Sequence, residues 1–293
     1  MTAIDAAAGI AAAGAAAAAA DAAVPEAEAT ASILDELDSG RRRAAVPDPA
    51  APGGWRADPE VKAAILGRFA DRRTVAWDVG GVLRFRDRAG LPPKALLGGA
   101  EADAAFAEDR PWRIVPGGTS VRAGAYLGPG VVIMPPSFVN VGAWIGEDAM
   151  VDSHVLVGSC AQVGARVHLA AGVTIGGVLE PPGARPVIVE HDAFVGAGSL
   201  LLDGVLVGAA AVIGAGVVLT GTSRLYDLVR GRVLCGTPDA PLAVPPGAVV
   251  VPGSRAAGGA FAAEHGLSVS VALLVKDRDA GTAARVALED ALR

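Results

Sequence analysis

From Val115 onward an aliphatic residue recurs at every sixth position: Val115, Val121, Leu127, Ile133, Val139, Ile145, Val151, Val157, Val163, Leu169 and Ile175. The phase breaks for a 14-residue step and restarts at Val189, Val195, Leu201, Val207, Ile213 and Leu219, with two more hits at Val244 and Val250. The next residue is very often Gly, as at Gly128, Gly146, Gly158, Gly164, Gly176, Gly196, Gly208 and Gly214. The fifth position of each hexad is usually small: Ala125, Ser137, Ala143, Ala149, Ala161, Ala193, Ser199, Ala211. A period of six, with so much glycine, excludes a heptad coiled coil. It fits a triangular coil in which each hexad makes one flat face and one corner. Three hexads complete a turn, the aliphatic residues stack inward, and the small residues fit beside them. The glycines are expected at corners where the backbone needs φ > 0. Each coil buries its core only against its neighbours, so many repeats are required. The fold class this predicts is mainly β, a left-handed parallel β-helix of hexapeptide repeats.

The flanks follow other periods. Residues 1–30 are a low-complexity Ala-rich tail, compatible with helix or with a frayed end. Ile33, Leu34 and Leu37 predict a short amphipathic helix ending at Ser39-Gly40. Asp58 as N-cap, Pro59 in the first position, and Val61, Ile65 and Phe69 on one face predict a second helix over 58–69. Thr74 to Phe85 reads as one or two strands, and 86–112 as a charged, Ala-rich connection. The expected organisation is a tail (1–30), an N-terminal helical or α/β domain (31–112), the β-helix (113–253) and a C-terminal cap (254–293). Loops leave the β-helix at 179–188 and 224–242. The cap carries a strand, Leu267 to Val275, and a final helix, Ala280 to Arg293, covering the open edge of the last coil.

Composition narrows the function. The 293 residues are enough for a sizeable core, and only 4% of them are aromatic, which suits thin stacked layers. A net charge of −6 without a basic run argues against nucleic acid as a partner. Cys160 and Cys235 make no disulfide framework and no CxxC, so a reduced, cytoplasmic setting is expected. No membrane span is expected, and no basic residue precedes the stretch Ala6 to Ala23, which argues against a signal peptide.

Loops on a rigid scaffold are where sites tend to sit. Acyl transfer from a thioester to an amine asks for a base, donors for the thioester oxygen and a groove for the pantetheine arm. Backbone N–H groups at glycine-rich corners supply donors. The bases on offer are Asp152, Glu180, Asp203, His154, His168 and His191. The three histidines are 14 and 23 residues apart, without a spacing that returns to one corner, so no metal is expected. Cys160 reads as a packing residue, and Glu190 and Asp192 as solvated.

The most specific stretch is Val151-Asp152, then Val157 to Gly164, Val167-His168-Leu169, and Ile175-Gly176-Gly177-Val178-Leu179-Glu180-Pro181. Trp112 to Gly117, Met134-Pro135, Leu225-Tyr226-Asp227, Val249 to Gly253 and Leu37 to Gly40 add weaker matches. Here the chain resembles the tetrahydrodipicolinate N-succinyltransferases of lysine and diaminopimelate biosynthesis, from about Ile33 to Arg293. The resemblance implies a homotrimer with succinyl-CoA lying between neighbouring β-helices. It implies succinyl transfer to the amine of L-2-amino-6-oxopimelate, the open form of tetrahydrodipicolinate, a small dicarboxylate acceptor. It puts the dicarboxylate-binding Arg at Arg113 and the Asp beside the reacting amine at Asp152, as substrate-binding and catalytic residue. For CoA, Ser199 and Arg224 are the expected contacts. Two departures stand out. Gly196-Ala197-Gly198-Ser199-Leu200 replaces a Gly-Ala-Arg-Ser-Glu, and Ser153-His154 replaces a Thr-Trp. Leucine cannot take a proton, so three readings stay open: the family reaction, a paralogue with another amine acceptor or acyl-CoA, and a catalytically silent scaffold that binds a ligand or partner.

Overall fold

The computed structural model describes residues 32–79, 83–95, 112–237 and 239–282. The Ala-rich tail, much of the charged connection and most of the expected final helix lie outside the described residues.

The hexads wind into a triangular solenoid with three parallel sheets, the left-handed β-helix expected from the period. The first face stacks Tyr126–Leu127, Trp144–Ile145, Gln162–Val163, Ile188–Val189, Leu206–Val207 and Ala243–Val244. The second begins Arg113–Ile114, Val132–Ile133, Met150–Val151, His168–Leu169, Phe194–Val195 and Val212–Ile213. The third stacks Ser120–Val121, Phe138–Val139, Leu156–Val157, Thr174–Ile175, Leu200–Leu201 and Val218–Leu219. Trp144 pairs in register with Tyr126 below and Gln162 above, so one turn is three hexads. Equivalent aliphatic residues therefore sit one above the other. Ile133, Val151, Leu169, Val195 and Ile213 are all fully buried, each contributing about 1.5–3 kcal/mol of burial. Val244 and Val250 pair with Val207 and Ile213 across the second excursion, so the phase survives both interruptions.

Two details differ from the expectation. The first is at the start of the solenoid. Ile114, not Val115, pairs with Ile133 and packs on the core. The segment Pro116-Gly117-Gly118 holds one residue more than a regular corner, so the period counted backward from Val121 lands one position late.

The second is the role of the glycines. Those that follow the aliphatic residue do not have positive φ. A Cβ on Gly164 would lie 2.5 Å from the backbone nitrogen of His191 in the next coil, so these glycines permit close stacking. Positive φ belongs to the corner residue three places after the aliphatic one. Gly142, Asp148, His154, Cys160, Arg166 and Gly172 run six apart with φ between 54 and 75°, and four of the six are not glycine.

The N-terminal segment covers the first face. Helix Ile33–Asp38 and helix Pro59–Ala70 bury Leu34, Leu37, Val61 and Ile65 against Val141 and Cys160 of the coil. Asp58 caps the second helix, its Oδ1 accepting from the backbone of Glu60 (3.0 Å) and Val61 (3.1 Å), a cap worth about 1 kcal/mol. Between the helices, Ala45–Pro47 pairs antiparallel with Trp55–Ala57, a pairing the hydrophobic pattern did not predict. The Arg43 guanidinium stacks 3.9 Å from the Trp144 ring centre, and its Nε donates to Gln162. Thr74–Val79 and Leu83–Arg88 form the expected strands as a hairpin.

At the other end the second excursion is not a plain loop. Arg224–Asp227 and Arg232–Cys235 form a hairpin around buried Asp227, which accepts from the Arg230 backbone (3.1 Å) and from Arg232 Nε (3.1 Å). The strand Ser268–Asp277 joins this hairpin to Ala248–Ala256, so the second face grows into a ten-stranded sheet. Helix Ala260–Glu264 lies between those two strands.

Candidate functional site

Arg113 projects from the bottom of the second face. It is exposed and lines a groove of about 740 Å³ with Gly130, Val132, Asp148 and Arg166. Arg166 is committed elsewhere: it makes a two-pronged ion pair with Asp192 (2.7 and 2.9 Å) and holds that carboxyl at a pKa of about 2. His191 meets the same carboxylate at 2.7 Å. Arg113 has no ion-pair partner among the described residues, which leaves it able to meet a carboxylate in two-pronged geometry.

Asp152 follows the strand Met150–Val151, two rungs along from Arg113 through Val132, a rise of roughly 10 Å. It is half-buried at the corner between the second and third faces. Its Oδ1 accepts from the backbone of Ser153 at 2.6 Å. Below it, Ser137 is buried inside the coil, donates to the Asp152 carbonyl (2.9 Å) and accepts from Val155 N (3.1 Å). Ser137 thus braces this corner, a role its place among the small hexad residues did not reveal. His154 is exposed in the left-handed conformation at the tip of the corner. Above it the equivalent positions are Gly172, Gly198 and Gly216, all with positive φ. A Cβ on Gly198 or Gly216 would meet nothing within 4 Å, so this edge is a strip of bare backbone above Asp152.

Leu200 lies on the outer row of the third face, between Thr174 and Val218 in register. Phe138 and Leu156 continue the row downward. Leu156 and Val218 are 37% and 52% exposed. The wall that carries Leu200 is therefore apolar along most of its length.

Both excursions leave the solenoid at the corner between the third and first faces, one coil above the other. They enclose a groove of about 640 Å³, lined by Glu180, Asp203, Arg185, Thr222, Thr237 and the backbone of Gly177 and Gly221, among others. Glu180 and Asp203 come together there, and Asp152 sits on the opposite edge of the third face. Within one chain Glu180 and Asp203 are thus separated from Asp152 and His154, while His168 lies on the second face and His191 at the corner between the first and second faces.

Ser199 turns its side chain inward. It is fully buried, and its hydroxyl donates to the Gly214 carbonyl at 2.9 Å inside the coil. Its side chain does not reach the surface where CoA would lie. Arg224 is exposed at the start of the hairpin, without an ion pair among the described residues. His168 is buried against Phe194, with ring centres 5.0 Å apart. Cys160 is buried and its thiol is pushed up to about 12 by desolvation, which fits a packing role. Among the described residues no three His, Cys, Asp or Glu side chains converge as metal ligands would. Likewise, no helix among the described residues is long and apolar enough to cross a membrane.

Two family models match the solenoid: "Bacterial transferase hexapeptide (six repeats)" over residues 142–177 and "Hexapeptide repeat of succinyl-transferase" over residues 186–221. A solved hexapeptide-repeat acetyltransferase from Vibrio cholerae, complexed with acetyl-CoA, is 20% identical with a TM-score of 0.32, covering 44% of this chain and 66% of its own. The sequence relatives reach much further. A 2,3,4,5-tetrahydropyridine-2,6-dicarboxylate N-succinyltransferase from Idiomarina loihiensis is 41% identical over 268 residues, 91% of this chain and 89% of its own length. Enzymes of the same name from Parvibaculum lavamentivorans and Polynucleobacter asymbioticus are 40% and 38% identical, over 91% and 90% of this chain and 89% of each relative. With that identity along almost the whole of both sequences, the chain belongs to the 2,3,4,5-tetrahydropyridine-2,6-dicarboxylate N-succinyltransferase family.

Proposed function

We propose that this protein transfers the succinyl group of succinyl-CoA to the amine of L-2-amino-6-oxopimelate, the open form of tetrahydrodipicolinate, in lysine and diaminopimelate biosynthesis. The observation that carries the reading is the near-full-length kinship to N-succinyltransferases. Arg113 binds an acceptor carboxylate from its exposed position beside the groove. Asp152 holds the amine and takes its proton as the nitrogen attacks the thioester carbonyl. The tetrahedral intermediate then collapses, the C–S bond breaks, CoA leaves as the thiol and the succinyl amide remains. The bare backbone strip at Gly172, Gly198 and Gly216 gives the substrates close access to the corner above Asp152. Neutral amides of the pantetheine arm suit the groove between the excursions, where Thr222 and Thr237 offer hydroxyls and Gly177 and Gly221 offer backbone. Arg224 is the proposed contact for a CoA phosphate.

The working unit in this reading is a homotrimer in the cytoplasm. Apolar Leu156, Leu200 and Val218 line a face that nothing among the described residues fully covers and that a second copy would bury. Association also brings the Asp152 edge of one copy toward a neighbour, which supplies the far wall of the site.

A second reading has one observation in its favour. Leu200 stands in an apolar row, and an apolar wall selects differently from a charged one. It would accommodate another amine acceptor or acyl-CoA on the same scaffold. Steady-state kinetics with succinyl-CoA and acetyl-CoA, against tetrahydrodipicolinate and other amino dicarboxylates, separate the two. Highest kcat/KM for succinyl-CoA with tetrahydrodipicolinate supports the first reading, and highest kcat/KM for any other pair supports the second.

A further inference from the structure

Two cations are buried at the root of the excursions without a carboxylate partner among the described residues. Lys62, on helix Pro59–Ala70, is fully buried, and its Nζ donates to the carbonyls of Ala184 (2.7 Å) and Pro181 (3.5 Å) in the first excursion. Arg185, within that excursion, is 8% exposed. Its Nε and Nη2 donate to the Gly204 carbonyl (3.0 and 2.8 Å), and Nη2 also reaches the carbonyl of Pro241 (2.8 Å). Nη1 reaches the carbonyl of Pro52 in the N-terminal segment at 3.5 Å. Burial lowers the pKa of both groups.

Burying a cation against carbonyls alone is unfavourable, because dipoles replace only part of the lost hydration. Here Arg185 ties together four stretches, the N-terminal turn at Pro52, the first excursion, the coil corner at Gly204 and the second excursion at Pro241, and Lys62 ties helix Pro59–Ala70 to the first excursion. Two glycines make room for the clamp. A Cβ on Gly53 would collide with the Arg185 guanidinium, and one on Gly204 would lie 2.5 Å from the Arg185 carbonyl oxygen. Of the clamped segments, both excursions line the 640 Å³ groove through Ala184, Arg185 and Pro241, and Asp203 beside Gly204 lines it too. An apolar side chain would satisfy packing at either position, but at Arg185 it would not fix the spacing between the two excursions, and at Lys62 it would not anchor the first excursion to helix Pro59–Ala70.

We infer that Lys62 and Arg185 are positioning residues that hold the groove between the excursions at the width needed by the thioester co-substrate. They act through the loop backbone and do not touch the reacting atoms. This rests on the reading that the groove receives the pantetheine arm of acyl-CoA.

The test compares intact wild-type protein with Arg185→Met, Arg185→Lys and Lys62→Met, using thiol release under saturation of each substrate in turn and calorimetric titration with CoA alone. Removing a charge-assisted bond that shapes a wall should weaken CoA binding and raise the KM for succinyl-CoA about tenfold in Arg185→Met and Lys62→Met. The KM for the acceptor and kcat should stay within about threefold, since neither residue reaches the acceptor. Arg185→Lys keeps the charge and should recover part of the loss. If Arg185→Met does not fold, Arg185→Lys alone carries the test, with a smaller rise in the same constant. Unchanged CoA affinity in the folded variants overturns the inference, and so does an equal loss in both KM values and kcat, which would mean general loosening. Wild-type protein that turns over no succinyl-CoA and binds no CoA overturns the underlying reading instead.

Discussion

On the first face of the coil the outward residues Gln162, Ile188 and Leu206 are buried beneath the N-terminal segment, while on the third face Leu156 and Val218 stay 37% and 52% exposed. The two faces come from different hexads of one pattern and have similar inward rows of aliphatic residues. Their outer rows differ in what covers them. Ile188 and Leu206 have Ala45 and Trp55 above them, whereas nothing among the described residues performs that service for Leu156 and Val218. Apolar side chains in register along one uncovered face point to a neighbouring copy. The difference teaches that the solenoid fixes only its interior, and each outer row reports its own partner.

The largest expected effect follows directly. Leu156→Asp with Val218→Asp should convert the proposed trimer to monomers in analytical ultracentrifugation and abolish thiol release, while the circular dichroism of the coil persists. An unchanged mass would move the subunit contact to another face.

Asp152→Asn comes next. It keeps the shape of the corner and removes the proposed base, so kcat should fall by about 10². An unaltered kcat would remove Asp152 from the chemistry. Gly164→Ala sharpens the inner half of the comparison. Its Cβ would lie 2.5 Å from the backbone of the next coil, which should cost about 1–3 kcal/mol in urea unfolding. A neutral result would mean that adjacent coils can spread. The smallest effect is that of Arg113→Ala, which should raise the KM for the dicarboxylate acceptor about tenfold and leave CoA binding intact.

The interior was legible in the amino-acid pattern because it repeats: one aliphatic residue per hexad, in one phase, implies the register that the three sheets adopt. Corners were less legible. Asp148, His154, Cys160 and Arg166 accept positive φ without being glycine, so composition gave no sign of where the backbone turns. Val115 was misread for a related reason, since an added corner residue shifts the phase without changing the residue types. Ser199 carried two expectations at once, as a small hexad residue and as a CoA contact. Its burial fits the first and withdraws the hydroxyl from the second. Arg113 and Asp152 were named through resemblance, and their exposed and half-buried positions suit the roles proposed. Lys62 and Arg185 could not be found from sequence, because a cation bound to main-chain carbonyls has no partner residue type to reveal it. The hairpin Arg224 to Cys235 was hidden by its pairing with a strand 47 residues further on, Leu225 against Ala272.

The most direct test of the central claim is thiol release by the purified protein with succinyl-CoA and tetrahydrodipicolinate. Rapid release, dependent on both substrates and stronger than with acetyl-CoA, is the predicted result, and it would mean that an apolar Leu200 is compatible with the family reaction. CoA binding without release from either donor would contradict the account and assign the scaffold to a different acceptor.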